Sequence, residues 1–304
     1  MIKPYRLQNG KLVAAERSEA QIVVLVNPGQ EEINYLIKKY QLDEHTLSSA
    51  FDSDELARLE YEDEHTAIIY KRPKNYSAAD HFQFRVSSSG VFLFDNLVIV
   101  ISDGELPLTD ERKFSKIASL KMFALKLLNF SVTHFNEHLR IINRMSDELE
   151  QRLIYDNSHD EYLTVFGLSK SLVYYINAIS SNETLLKKLQ MNRSIGFNEI
   201  EQELLDDIII ENAQCRRQAE IYSNILSSMM SAHESIVSND LNYLVKTLNV
   251  VTIGIMVPTF VVSAMSMNVA YPFDAESPHV IWFILLAVIL STLGFMWVQK
   301  KKKW

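Results

Sequence analysis

The 304 residues include a single cysteine, Cys215. A disulfide within the chain is therefore excluded, and the large N-terminal part fits a reducing compartment. Glycine and proline are scarce, with eight and seven copies. No glycine-rich phosphate loop, zinc-protease motif or nucleophile elbow is found, so neither an enzyme nor a motor driven by nucleotide hydrolysis is predicted. Charge is absent from two long stretches: Thr247 to Met267 and Val280 to Val298, 21 and 19 residues, hold no Asp, Glu, Lys or Arg. The connector between them, Asn268 to His279, lacks Lys and Arg but holds Asp274 and Glu276. An apolar run is also missing from the first 20 residues, which carry Lys3, Arg6, Lys11, Glu16, Arg17 and Glu19; no signal peptide is predicted there.

What is present follows from these gaps. A helix needs about 20 apolar residues, at 1.5 Å rise each, to cross roughly 30 Å of hydrocarbon, so both charge-free runs are long enough to span. Lys246 precedes the first, and Lys300, Lys301, Lys302 and Lys303 follow the second. Basic residues collect on the cytoplasmic side, which predicts a cell-membrane protein with both termini cytoplasmic. Before Lys246 the chain has 25 basic against 36 acidic residues. That balance argues against nucleic acid and is compatible with cation binding, and ordinary solubility explains it equally well.

The predicted fold class is an α+β membrane protein. Residues 1–110 read as a cytoplasmic α/β domain. Its strand patterns are Ile2 to Leu7, Lys11 to Ala15, Ile22 to Val26, Thr66 to Arg72, Phe82 to Val86, Val91 to Phe94 and Leu97 to Ile101. Asn9-Gly10 is a type I′ hairpin signal, and Ser87-Ser88-Ser89-Gly90 reads as a turn. Helices are expected over Glu31 to Tyr40 and around His45 to Ala50. Residues 111–245 form a helical hairpin and stalk: Phe114 to Tyr155 and Glu161 to Gln190 pair across 156–158, and Asn198 with Glu201 gives a capping-box start to the next helix. No proline interrupts that helix before Pro258 and no glycine before Gly254, so it runs into the first span as a rod of roughly 100 Å. The remaining segments are 246–267, the first transmembrane helix; 268–279, an extracytoplasmic loop; 280–299, the second transmembrane helix; and 300–304, a basic tail.

Stepping through the end of the rod by threes and fours gives Asn242, Val245, Asn249, Thr252, Met256, Thr259, Ser263 and Ser266. This stripe holds most of the polar side chains of the segment, and its mean step of 3.5 is that of helices wound around a common axis. Small and hydroxylated residues also let membrane helices approach closely. Two asparagines on one stripe fit that role less well, because an unpaired carboxamide in hydrocarbon is unfavourable. A water-filled axis suits them better. Two helices cannot enclose such an axis, so several copies must assemble, with this helix inside and the Ile/Leu-rich second span outside.

Several stretches resemble the CorA family of divalent-cation channels. They are Tyr222-Ser223-Asn224-Ile225-Leu226, Ser235-Ile236-Val237-Ser238-Asn239, Leu241-Asn242, Lys246, Leu248, Pro258-Thr259 and Ser266-Met267-Asn268. Ser169 to Tyr175 and the lysine tail are similar as well. The likeness is specific from about Phe166 to the end. The family's Gly-Met-Asn signature appears here as Ser266-Met267-Asn268, with Met265 where a tyrosine is often found. The resemblance implies a homopentameric funnel with five pore helices around one axis, passing magnesium, or Co²⁺ or Ni²⁺, into the cytoplasm down the membrane potential. That potential contributes about 2.3 kcal/mol per charge per 100 mV, and roughly twice that for a divalent ion.

The resemblance makes Asn268, beside Met267 and Ser266, the selectivity ring. Neutral carboxamides can hold Mg²⁺ through the water shell it gives up reluctantly. Asp274 and Glu276 would concentrate cations at the mouth, Asn242, Thr252 and Thr259 would pass the hydrated ion along, and Leu248 with Met256 would form an apolar constriction. Regulatory Mg²⁺ bound between protomers is a further implication. The stalk aspartate used for it is Ser231 here, leaving Glu234, Asp52, Asp54, Asp63 and Glu64 as candidates. Magnesium thus enters as transported and regulatory ion, and no cofactor is expected; the partners are further copies of the chain, membrane lipid and divalent cations. Two alternatives stay open: a zinc transporter of the same superfamily, and a non-conducting membrane-anchored sensor. His134 and His138, four apart on a helix, have a zinc-compatible spacing without an identifiable third ligand.

Overall fold

A computed structural model describes residues 2–75, 84–110, 112–155, 159–192, 194–267 and 279–302. The chain divides into two compact units, Met1–Met230 and Ser231–Trp304. In the first, β1 (Ile2–Gln8) and β2 (Lys11–Ala14) form a hairpin. Asn9 and Gly10 turn it with φ of 51° and 75°, the left-handed pair that a type I′ turn requires. There follow β3 (Ile22–Val26), α1 (Gln30–Tyr40), α2 (Glu44–Ser49), β4 (Arg58–Tyr61), β5 (Thr66–Pro73), β6 (Val86–Leu93) and β7 (Val98–Ser102).

The seven strands make one sheet in the order β2-β1-β3-β7-β6-β5-β4. β3 and β7 run parallel, Ile22 opposite Val98, and every other pair is antiparallel. Side-chain alternation then sorts the sheet into two cores. Ile99 and Ile101 of β7, Ile69 and Phe92 pack with Leu36 of α1 and Leu47 of α2. Val98 and Val100, with Ile68 and Val91, lie in the larger core with Phe123, Leu127 and Phe135 of α3 (Leu120–Tyr155). Burying one such aliphatic side chain stabilises by about 1.5–3 kcal/mol, so the strict alternation fixes the register.

Three local readings are corrected. Ser87 to Gly90 is not a turn but the middle of β6, paired with β5 and β7. All three serines are buried, and two have side-chain partners: Ser88 accepts from Lys71 Nζ at 2.9 Å, and Ser89 bonds Ser102. Gly90 is there for close approach, since a methyl on it would lie 2.9 Å from Ala50 Cβ. β4 was not anticipated, because Arg58 to Tyr61 is short, charged and at the sheet edge; Arg58 bridges Glu55 and Glu60 at 3.1 Å each. The first long helix starts at Leu120 rather than Phe114, capped by Ser119 Oγ accepting from Met122 N at 2.9 Å. The expected strand Phe82 to Val86 lies partly outside the described residues.

α4 (His159–Met191) and the start of α5 (Glu199–Met265) complete this unit. The capping box holds as read: Glu201 N donates to Asn198 Oδ1 and Asn198 N to Glu201 Oε2, both at 2.9 Å. Ser119 also donates to Glu201, so one buried carboxylate joins the N-termini of α3 and α5, where negative charge is favoured. α5 buries Leu205, Ile208, Asn212, Cys215, Ala219 and Leu226, a 3.5-residue rhythm.

β4 pairs with β5 only as far as Ile69. Beyond it, Asn182 of α4 takes the place of a strand. Lys71 N donates to Asn182 Oδ1 and Asn182 Nδ2 to Lys71 O, each at 2.8 Å and buried. Asn182→Leu leaves the buried Lys71 N–H without its acceptor, while the Lys71 carbonyl keeps Ser131 Oγ as a donor, a loss of about 1–3 kcal/mol. The full-length variant in detergent should show a lower thermal unfolding midpoint than wild type by circular dichroism.

Candidate ion pathway

The second unit contains the end of α5 and α6 (His279–Lys302). Both helices are long and apolar enough to cross a membrane. Their mutual face is visible in the burial pattern. On α5, Val250, Gly254, Val257, Pro258, Val261 and Met265 are half-buried, and on α6 Ile284, Ala287, Val288, Ser291, Thr292 and Phe295 are. A methyl built on Gly254 would lie 3.5 Å from Phe295 Cε1, an ordinary van der Waals contact, so the aromatic ring of α6 packs beside α5 at this position.

The polar stripe lies elsewhere. Asn242, Val245, Leu248, Asn249, Thr252, Met256, Thr259, Ser263 and Ser266 are all exposed in the single chain. At about 100° per residue the stripe sits roughly half a turn from the face that meets α6. Its hydroxyls are oriented. Thr252 Oγ1 donates to Leu248 O at 2.8 Å, Thr259 Oγ1 to Ile255 O at 2.7 Å, and Ser266 Oγ to Ser263 O at 2.9 Å. Each hydroxyl has one proton. With that proton given to the helix's own backbone, the stripe presents oxygen lone pairs outward.

Ser266 stays in the last turn, its N–H donating to Val262 O at 3.1 Å. Met267 follows, exposed. Asn268, Asp274 and Glu276 lie outside the described residues. Gly254 and Phe295 were given no role from sequence, although Gly254 stands four residues before Pro258. Proline lacks the N–H that would bond the carbonyl of residue i−4 and crowds it, so that spacing was a usable signal of a special site.

The candidate regulatory acids are dispersed. Asp52 and Asp54 are exposed on the loop after α2, where Asp54 N donates to Asp52 Oδ1 at 2.8 Å. Lys71 Nζ reaches the same loop at Ser53 O, 2.8 Å away. Asp63 and Glu64 are exposed in the β4–β5 turn and Glu234 on α5. Among the described residues of one chain, no three His, Cys, Asp or Glu side chains converge to hold a metal.

The family model described as CorA-like Mg2+ transporter protein matches residues 18–301. A cobalt/magnesium transport protein CorA of Methanocaldococcus jannaschii is 24% identical over 289 residues, 91% of this chain and 89% of that protein. The complete structure of the CorA magnesium transporter from the same organism superposes with a TM-score of 0.85 at 19% identity, covering 98% of this chain and 96% of that one. The ZntB cytoplasmic domain from Vibrio parahaemolyticus gives 0.62 at 11% identity, over 78% of this chain and 98% of that domain. At such identities the structural likenesses establish the fold. The chain belongs to the CorA-like Mg2+ transporter family. It is a membrane transporter of divalent cations, not an enzyme.

The histidine pair belongs to the core of the first unit. His138 Nδ1 and Tyr175 Oη are 2.6 Å apart, the two imidazoles meet edge-on at 4.4 Å, and Phe84 and Phe130 pack against them. Burial pushes His134 down to about 4 and His138 down to about 3 from the ordinary 6.5. Both are neutral in the fold and take up protons only on unfolding, so stability is present above about 6.5 and declines as pH falls towards the folded values. The thermal midpoint of the full-length protein should drop between pH 7 and pH 4.5, and His138→Phe should flatten that dependence in a pH series of melts.

Proposed function

We propose that the protein is a passive channel for hydrated divalent cations, chiefly Mg²⁺ and also Co²⁺ or Ni²⁺, built as a homopentamer with five copies of α5 around one axis. Both termini are cytoplasmic in this reading, and the inward-negative membrane potential drives influx. One observation carries it: the stripe of α5 faces away from α6 with its hydroxyl protons turned inward to the backbone. A hydrated cation presents water hydrogens, and the hydroxyl lone pairs of Thr252 and Thr259, with the carboxamide oxygens of Asn242 and Asn249, can accept them. A non-conducting anchor has no use for such a surface.

Self-association is supported by the exposed apolar side chains Ile236, Leu241, Leu244, Val245 and Leu248 on α5, more than a monomer leaves uncovered on one helix. In the assembled ring Asn268, with Met267 and Ser266, holds the ion through its water shell; Asp274 and Glu276 gather cations at the mouth; Leu248 and Met256 form the apolar constriction. Intracellular Mg²⁺ closes the channel by binding acidic residues between protomers, drawn from Glu234, Asp52, Asp54, Asp63 and Glu64. Conduction of Zn²⁺ is the second reading, favoured by Ser266 at the glycine position of the signature.

Metal-by-metal flux in proteoliposomes under a clamped potential separates the two: Mg²⁺ should carry the larger flux, and a flux of Zn²⁺ alone selects the second. Asn268→Ala should abolish divalent flux while the oligomer elutes unchanged on size exclusion. Normal magnesium flux by that variant would refute the selectivity ring.

A further inference from the structure

α4 carries a glycine for which its own packing gives no reason. Glycine weakens a helix interior, having the most backbone freedom to lose, and its use there is to let another group come close to the backbone. At Gly90 that group is Ala50. At Gly167 the chain supplies none: a methyl built on it meets no atom within 4 Å among the described residues. The space beside it is a cleft of about 390 Å³ in the first unit, within the range of about 300–1,000 Å³ that small-ligand sites occupy.

Three parts of the fold build the cleft. α4 supplies Gly167, Lys170 and Tyr174, the residues just before β6 supply Phe84 and Arg85, and the loop after α2 supplies Asp54. They are tied together. Ser171 Oγ accepts from Phe84 N at 3.3 Å and donates to Gly167 O at 2.8 Å, while Lys74 N donates to Arg85 O at 2.9 Å. Phe84 is buried and forms an apolar wall. Arg85, Lys170 and Asp54 are exposed, so two cations and one carboxylate face the solvent side. Lys170 Nζ lies 6.0 Å from the ring centroid of Tyr174, the outer limit of a cation–π contact. Tyr174 is itself 51% exposed, so a positive charge and an open ring are presented side by side.

We propose that this cleft binds a nucleoside monophosphate. Its phosphate, carrying close to two negative charges at neutral pH, is matched by Arg85 and Lys170. Its base packs between Tyr174 and the Phe84 wall, over the bare backbone of Gly167. Asp54, which when ionised only accepts hydrogen bonds, takes the ribose hydroxyls or an exocyclic amine. A bare anion would use the two cations and meet Asp54 as a like charge. An uncharged nucleoside would leave both cations unanswered. The site lies wholly in the first unit and does not rest on which ion is carried or on how α5 assembles.

The test is isothermal titration calorimetry of the full-length protein in detergent, without added metal, using adenosine monophosphate as the probe. Wild type should bind one probe per chain, and adenosine and inorganic phosphate should each bind at least about tenfold more weakly, as expected when a charge-assisted hydrogen bond or the ring contact is missing. Lys170→Gln and Arg85→Gln should each lower the affinity about tenfold for the same reason. Tyr174→Leu should weaken binding and Tyr174→Phe should largely keep it. Gly167→Leu fills the cleft and should abolish binding. Its thermal midpoint should stay level or rise, because leucine is the better helix former and no neighbour obstructs it.

Unchanged affinity in Gly167→Leu places the binding elsewhere and overturns the site. Inorganic phosphate bound as tightly as the nucleotide overturns the proposal in favour of a simple anion site. Should Gly167→Leu fail to fold, the double variant Arg85→Gln with Lys170→Gln decides, and undiminished affinity there overturns the proposal. Absence of saturable binding by wild type overturns it as well, the result expected if a second copy of the chain or another protein fills the cleft. No ion flux enters the measurement, so its failure leaves the transport reading standing.

Discussion

Hydrocarbon supplies no hydrogen bonds, and the C-terminal unit is organised around that constraint. Every hydroxyl or carboxamide at bilayer depth must find a partner on its own helix, on a neighbour or in enclosed water. The threonines of α5 satisfy half of this requirement locally, donating to carbonyls four residues back. Their remaining lone pairs, and both groups of Asn249, have no such solution on α5. The opposite face is already committed to α6 through Gly254 and Phe295. In the proposed channel, copies of the same helix around a shared aqueous axis would satisfy what is left.

Elements whose signal is local were legible in the residues. Asn9-Gly10 adopts the left-handed pair its turn demands, Asn198 and Glu201 close their capping box, and two charge-free runs are long apolar helices. Elements decided by distant partners were not. The serines of β6 prefer turns because their hydroxyls compete for nearby backbone, but Lys71, Ser102 and the loop at Asp52 offer Ser88 and Ser89 distant partners. β4 has too little apolar periodicity to be seen alone. The site divides the same way: the stripe is a periodic pattern and could be read, whereas the packing of Phe295 on Gly254 joins residues 41 positions apart. Nothing local encodes that contact.

The first unit solves a different polar problem. Lys71 and Arg72 are adjacent on β5, nearly buried, and point to opposite faces. Lys71 reaches Ser88 Oγ and the carbonyl of Ser53, while Arg72 faces Asp103 at 3.5 Å. Burial lowers the pKa of Lys71, against the pull of Asp52, Asp54 and Glu55. These cations pin loops to the sheet, so the acidic loop 52–55 is held by its backbone and leaves its carboxylates at the surface. The buried Glu201 performs the corresponding service for the helices, holding the start of α5 to the start of α3.

Asn182 has a bearing on crowding. A sheet edge with unpaired backbone groups is a template for strands of other molecules, and in the proposed assembly copies of the chain would stand side by side. By occupying both the N–H and the C=O of Lys71, with Ser131 Oγ also donating to that carbonyl at 2.6 Å, the helices shut the one stretch of β5 that β4 is too short to cover. Neighbouring copies are thereby denied the backbone docking that would let their sheets fuse into fibrous aggregates.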